Sequence, residues 1–305
     1  GSGSSNSGST GSSGGSTSVS NGGVSAVTSG LGVYRVTENE GIGAIARGVD
    51  VSYWQQNVNW SQVASDNVQF AMLATRFRGN VDPFFAMNAA NASQAGLRLG
   101  AYIYSYATSV EMAQQEADFV LNLIKDYPIS FPVVFDAEDA NTLGTLTQSQ
   151  VSDVINAFCK RIQDAGYYPM VYANEYWIAN KIDMSKISYD IWVAKYQQKY
   201  TYSKTSMWQA SNTGSVKGVN GNVDIDYLYK DYTQIIPGNT WRTIAGNRYY
   251  YQNHVMQKAA WINDGQNWYY MNAAGNPSKG WLELSGKKYY LEADGHMITG
   301  WKTLD

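Results

Sequence analysis

Phe131-Pro132-Val133-Val134-Phe135-Asp136-Ala137-Glu138-Asp139 passes from an unbroken apolar run into three acids within four positions. A short continuous run of this kind predicts a strand buried on both faces over 131–138. Strand side chains alternate, so Asp136 and Glu138 share one side while Ala137 and Asp139 take the other. Two carboxylates two residues apart at the end of a buried strand can place an acid/base pair in a pocket. The competing reading is a solvated acidic turn.

Working outward, 47–52, 70–76 and 99–106 read as strands and 60–64, 84–95 and 109–125 as helices. Ser109 is placed to cap the last helix and Gly96 to close the one before it. Downstream come a helix over 147–165, ending at Gly166, and a strand over 169–174. Five strands with four intervening helices predict parallel βα units. Strand-like runs at 190–196, 206–210 and 222–227 follow with little room for helices between them. Together these predict an α/β fold, an irregular TIM-like (β/α)5(β)3 barrel over 46–233, whose site lies at the C-terminal mouth of the strands. Asp50 falls late in the first strand, Asp136 and Glu138 at the end of the fourth, Tyr172 near the end of the fifth, Trp208 and Gln209 on the seventh, and Asp224 and Asp226 on the eighth. An isolated acidic turn predicts no such convergence of acids, so the cluster reads as a candidate site.

Composition narrows the chemistry. The 305 residues carry a net charge of −3, with no basic field for nucleic acid, and no apolar run long enough to span a membrane. Cys159 is the only cysteine, which excludes an intrachain disulfide; its helical setting predicts a buried thiol. Both histidines, His254 and His296, lie near the C-terminus. A Ser-His-Asp or Cys-His system is therefore excluded from the main domain, and a hydrolytic zinc site is disfavoured. Hydrolysis there must use carboxylates, tyrosines and amides, with no metal and no cofactor. Residues 1–45 read as a Ser/Gly-rich disordered linker, without secondary structure, activity or the pattern of a secretory signal.

The quoted residues resemble a known family. Gly48-Val49-Asp50-Val51-Ser52-Tyr53-Trp54-Gln55 is similar to the opening of the glycoside hydrolase family 25 lysozymes. Gly96-Leu97-Arg98-Leu99-Gly100-Ala101-Tyr102 resembles the family's third strand, and Phe135-Asp136-Ala137-Glu138 its Asp-x-Glu catalytic motif. Trp208-Gln209 and Gly221-Asn222-Val223-Asp224-Ile225-Asp226 resemble its closing strands. The match runs in order over about 46–232. The resemblance implies an N-acetylmuramidase that cleaves the β-1,4 bond between N-acetylmuramic acid and N-acetylglucosamine in peptidoglycan. By position it makes Glu138 the general acid, Asp136 its companion, and Asp50 and Asp224 further active-site acids. Tyr172, Trp208, Asp226, Tyr53 and Tyr104 are then substrate-binding candidates. One departure stands out: where the family often carries Lys-Ala-Ser/Thr-Glu-Gly after the second strand, this chain reads Ala74-Thr75-Arg76-Phe77-Arg78-Gly79.

Trp241, Trp261, Trp281 and Trp301 recur every 20 residues, and Tyr249-Tyr250, Tyr269-Tyr270 and Tyr289-Tyr290 keep the same step. A strict short period predicts a solenoid of β-hairpins over 238–305. The pattern resembles choline-binding/cell-wall-binding repeats. It implies a ligand at Trp261, Trp268, Trp281, Tyr270 and Tyr290, held by cation–π attraction or by stacking on sugar rings. The partner expected there is a wall polymer (teichoic acid, choline or glycan), and the setting expected is secreted or wall-associated, in a Gram-positive-type bacterium or its phage. The main alternative is a catalytically inactive wall-binding adhesion protein; a chitinase-like change of glycan is a third reading.

Overall fold

A computed structural model describes residues 17–21, 24–300 and 303 of the chain. The apolar runs form β1 (Ala46–Val51), β2 (Phe70–Ala74), β3 (Arg98–Tyr104), β4 (Ile129–Asp136), β5 (Pro169–Asn174), β6 (Asp190–Ala194), β7 (Thr205–Gly214) and β8 (Val223–Leu228). They close into a barrel in chain order, each strand beside the next and β8 beside β1. Strands β1 to β7 run parallel, and β8 runs antiparallel to both its neighbours.

Five helices follow the first five strands: α1 (Trp60–Ser65), α2 (Phe85–Gln94), α3 (Val110–Ile124), α4 (Gln148–Asp164) and α5 (Glu175–Asn180). The sequence pattern predicts the first four and not α5, a single short turn-and-a-half started by the Asn174 side chain, which accepts the Trp177 N–H at 3.0 Å. Helix starts are chemically marked. Ser109 Oγ accepts the Met112 N–H at 3.2 Å, and Thr147 and Gln150 form a reciprocal capping box. Gly96 and Gly166 follow α2 and α4 with φ of +88° and +94°, where a Cβ would be strained.

The barrel interior is filled by Phe70, Met72, Phe131, Val134, Met170, Trp192, Met207 and Leu228. Each fully buried side chain of this size contributes about 1.5–3 kcal/mol. Gly48 faces this layer, where a Cβ would stand 2.3 Å from the Phe70 ring. Below it, Tyr232 closes the floor: its ring meets Phe131 at 5.7 Å and its hydroxyl donates to Asp190 at 2.9 Å. With the floor plugged, the interior opens only towards the ends of β1–β7.

Two expectations need correction. Strand β4 covers Ile129–Asp136, so Glu138 lies just past it; the Ala137 N–H still bonds Tyr172 O at 2.9 Å, which carries the strand's direction one residue further. The structureless reading of 1–45 fails over its described part, where Thr17–Asn21, Val24–Ser29 and Gly32–Val36 pair as an antiparallel sheet. The β-branched residues Val27, Val33 and Val36 suit pleated backbone. Tertiary contact fixes it: Tyr34 is buried beside Tyr227, its hydroxyl donating to Gly41 O at 3.2 Å, and Asn67 bonds both the N–H and the carbonyl of Arg35. Residues 1–16 lie outside the described residues.

After the barrel come three hairpins: Thr240–Ile244 with Asn247–Gln252, Ala260–Asn263 with Trp268–Met271, and Gly280–Leu284 with Lys287–Leu291. In each, Trp241, Trp261 or Trp281 sits directly across from Tyr250, Tyr270 or Tyr290. The ring of Trp241 meets Tyr269 of the next hairpin at 4.9 Å, and Trp261 meets Tyr289 at the same distance. The first hairpin is docked on the barrel: Arg242 lies between the Tyr167 and Tyr251 rings, and the Tyr251 hydroxyl donates to Lys125 O at 2.7 Å. Trp301 lies outside the described residues.

Candidate active site

At the mouth of the barrel is a cleft of about 560 Å³. Asp50 reaches it from the end of β1, Asp136 from the end of β4, Glu138 from the turn beyond, and Asp224 from the start of β8. Asp224 is placed there by the reversal of β8, which sets it directly across from Asp50. A larger hollow of about 710 Å³ beside α1 and α2 is lined by neutral groups, including Asn57, Asn59, Asn91 and Gln94. The titratable chemistry is at the barrel mouth.

The acids are crowded and poorly solvated. Burial, and then the neighbouring Glu138, push the Asp136 carboxyl well above the usual range. Asp136 Oδ1 is buried with no hydrogen-bond partner among the described residues. Burial likewise raises Glu138, with Asp224 and Asp139 adding to it. Asp50 is held well above the ordinary range by burial, Asp226 and Asp224, against the opposing hydrogen bond from Gln209. Asp224, directly across the sheet, is also raised by burial, against the opposing hydrogen bond with Asp50. Asp139, by contrast, clamps its own loop, accepting from Asn141 N at 2.9 Å and Thr142 Oγ1 at 3.1 Å.

Gln209 ties the site together. Its Nε2 donates to Asp50 Oδ2 at 2.7 Å, and its Oε1 accepts from the hydroxyls of Tyr172 at 2.7 Å and Tyr196 at 2.6 Å. Tyr172 and Tyr104 line the cleft as expected. Trp208 does not. Strand alternation turns it outward, where it is 1% exposed, packs on Tyr200 and Tyr227, and donates to Lys195 O at 2.9 Å. Tyr53 also stands behind the wall, stacked on Phe77 at 4.0 Å; its neighbour Trp54 lines the cleft instead and is 67% exposed. Asp226 is fully buried one layer below, where Trp192 Nε1 donates to it at 2.9 Å. Trp192, Tyr196, Tyr102 and Trp54 also line the cleft without having been candidates, as do Gln209, Arg76 and Arg78, which the sequence places near the mouth without assigning them a role. The signal for Gln209 was present: it is the one polar residue in the run Met207–Ala210, and it pairs across the sheet with Asp226.

Glycosidic cleavage calls for a pair of carboxyl groups flanking the scissile bond, and carboxyls gathered at the mouth of a closed barrel can meet that demand. Residues 49–219 match glycosyl hydrolases family 25, and 260–276 and 279–297 match a putative cell wall binding repeat. The uncharacterized protein YegX of Escherichia coli K12 is 31% identical over 189 residues, covering 59% of this chain and 68% of that protein. Lysozyme M1 of Streptomyces globisporus is 30% identical over 195 residues, covering 58% and 66%. The crystal structure of the bacterial lysozyme from Streptomyces coelicolor superposes with a TM-score of 0.51 at 25% identity, covering 63% of this chain and 95% of that one. The chain belongs to glycosyl hydrolase family 25 and carries cell-wall-binding repeats. No helix among the described residues is long and apolar enough to cross a membrane.

Proposed function

We infer that the chain hydrolyses the β-1,4 bond between N-acetylmuramic acid and N-acetylglucosamine in peptidoglycan. The observation that carries this is the convergence of Glu138, Asp136, Asp50 and Asp224 in one cleft, with the Glu138 carboxyl raised by burial and neighbouring acids. Glycosidic cleavage needs a protonated acid at the leaving oxygen and negative charge beside the cationic ring. Glu138, half-buried and with its carboxyl raised by burial and by Asp224 and Asp139, is the proton donor. Asp136 is its companion, and its unpartnered Oδ1 is free to orient the substrate's acetamido group or face the developing charge. Asp50 and Asp224 supply the remaining field, with Tyr172 and Tyr104 as sugar contacts.

Residues 46–233 form the catalytic unit and 238–305 a wall-anchoring hairpin solenoid, acting outside the cytoplasm on a Gram-positive-type wall. The ligand of the repeats is a cationic or sugar-bearing wall polymer. Internal comparison supports a cation: the Arg248 guanidinium lies 4.1 Å from the Trp241 ring centre and 5.9 Å from that of Tyr269. The same place in the next hairpin pair is bounded by Trp261, Tyr270 and Tyr289, and there Trp268 stands where Arg248 stood. Trp281 is 66% exposed and pairs with Tyr290.

The test is Glu138→Gln. General acid catalysis is worth about 10²–10⁴-fold, so this variant should lose turbidity-clearing activity by that factor while melting as the wild type does. Mass spectrometry of wild-type digests should show muramic acid at the new reducing ends. Wild-type activity in the variant, or N-acetylglucosamine at those ends, overturns the reading.

A further inference from the structure

The short hairpin Arg76–Phe77 and Asn80–Val81 forms one wall of the cleft, to which it contributes Arg76, Phe77 and Arg78. It is held firmly. Phe77 stacks on Tyr53 with an interplanar angle of 17°, the Trp54 ring meets it edge-on at 5.6 Å, and Asp82 accepts the Tyr53 N–H at 2.7 Å. Arg76 is committed within this wall. Its Nη2 donates to Glu116 Oε1 and to Tyr104 O, both at 2.6 Å, and Glu116 also accepts from Ser105 Oγ and the Tyr106 N–H. The charge of Arg76 is therefore neutralised by a buried partner.

Arg78 differs on each count. It is exposed, its guanidinium lies 5.1 Å from the Phe77 ring centre, and it forms no ion pair among the described residues. It occupies the first turn position with φ of +49°, followed by Gly79 at +83°. Two-residue turns of this kind favour Asn, Asp or Gly in that place, so turn stability does not select an arginine. Of the two cations lining a cleft otherwise charged by carboxylates, Arg78 alone has its hydrogen-bonding fork unengaged.

We propose that Arg78 is a specificity-determining residue that takes a carboxylate of the substrate. A guanidinium presents two parallel N–H groups that match a carboxylate, and a rigid hairpin fixes where that match is made. The other cation of the cleft, Arg76, is already paired with Glu116, and the remaining charged groups are carboxyls, so this rim is where a carboxylate finds a cation. The inference rests on the muramidase reading, which supplies the carboxylate in one of two places. In peptide-free strands it is the lactyl group of muramic acid; in peptide-bearing strands the lactyl group is consumed as an amide and the stem peptide carries it.

The experiment compares wild type, Arg78→Asn and Arg78→Lys on peptide-free glycan strands, on peptide-bearing strands, and on each after its carboxylates have been converted to amides. Asn suits the turn, so Arg78→Asn keeps the hairpin while removing the charge. On the substrate whose carboxylate is captured, KM should rise about 10-fold in Arg78→Asn with kcat unchanged, and Arg78→Lys should fall between. On the amidated form, wild type and Arg78→Asn should coincide. A loss on peptide-free strands assigns the lactyl carboxylate; a loss confined to peptide-bearing strands assigns the stem peptide. If Arg78→Asn matches wild type on both unmodified substrates, the subsite is refuted while the muramidase reading stands. If wild type releases no muramic reducing ends from either, that reading falls and this inference falls with it.

Discussion

Gln209→Met is the perturbation that best probes how the site is held. Methionine keeps the length and volume of glutamine and removes both polar ends. Gln209 is 3% exposed, and its three hydrogen bonds reach groups of unequal burial: Asp50 at 4%, Tyr172 at 6% and Tyr196 at 38%. The Tyr196 hydroxyl can be taken over by water. Asp50 Oδ2 and the Tyr172 hydroxyl lose their partner, at about 1–3 kcal/mol each. Because the cleft admits some water, the lower half of that range applies, and the variant should lose about 2–4 kcal/mol. Out of a total of about 5–15 kcal/mol this leaves a folded protein.

Urea unfolding measures this as a shift in midpoint at unchanged slope. The pairing also makes a stricter demand. Removing the Tyr172 hydroxyl (Tyr172→Phe) should cost stability in the wild type and restore some in Gln209→Met, because there it deletes an orphaned group. In the same variant Asp50 loses the hydrogen bond that opposes its raised pKa, so any limb of the pH–activity profile that reports Asp50 ionisation should move to higher pH. A loss under about 1 kcal/mol, or additive effects of the two substitutions, refutes the idea that Gln209 organises the site.

Asp226→Asn should stabilise the protein increasingly as pH rises. Burial and Asp224 raise the folded pKa of Asp226, so its contribution is complete below the unfolded value of about 3.9 and is lost as pH climbs through the folded value. Asn escapes that loss while still accepting from Trp192; a melting-temperature gap that stays constant with pH would contradict this. Arg248→Ala should open the first inter-hairpin aromatic site, raising the number of choline molecules bound in calorimetry by about one, and an unchanged stoichiometry would show that the guanidinium is not occupying a cation site.

The sequence pattern located all eight barrel strands because buried parallel strands are written as continuous apolar runs, as in Phe70–Ala74 and Ile129–Asp136. It located Ser109 and Gly96 because caps and positive-φ closures demand particular residue types. The choice between Trp208 and Gln209 depended on strand parity, and an aromatic was taken where alternation required the amide. The N-terminal sheet was illegible for a different reason. Its strands are short and lie in a Ser/Gly-rich stretch, and what fixes them is distant in sequence: Tyr34 against Tyr227, and Gly30 N–H with Asp231. Local composition cannot report a contact of that kind.

The premise of parallel strands accounts for only part of the gathering of acids at the cleft. Strands that run parallel bring their C-terminal ends to the mouth, which places Asp50, Asp136 and Glu138. Asp224 stands at the start of β8, and in a parallel β8 it would lie at the floor, roughly 15 Å away at about 3.3 Å per residue. Reversing the strand brings its first acid to the mouth, directly across from Asp50, in a pairing that like charges make unfavourable. The same reversal explains the missing helix. A parallel crossover needs a dozen or more residues, whereas an antiparallel return needs only a loop, and residues 215–222 supply one. The missing helix between β7 and β8 and the fourth carboxylate in the cleft are therefore one structural fact: the fold gives up a βα unit and a favourable cross-strand pair, and gains an acid that a parallel β8 cannot deliver.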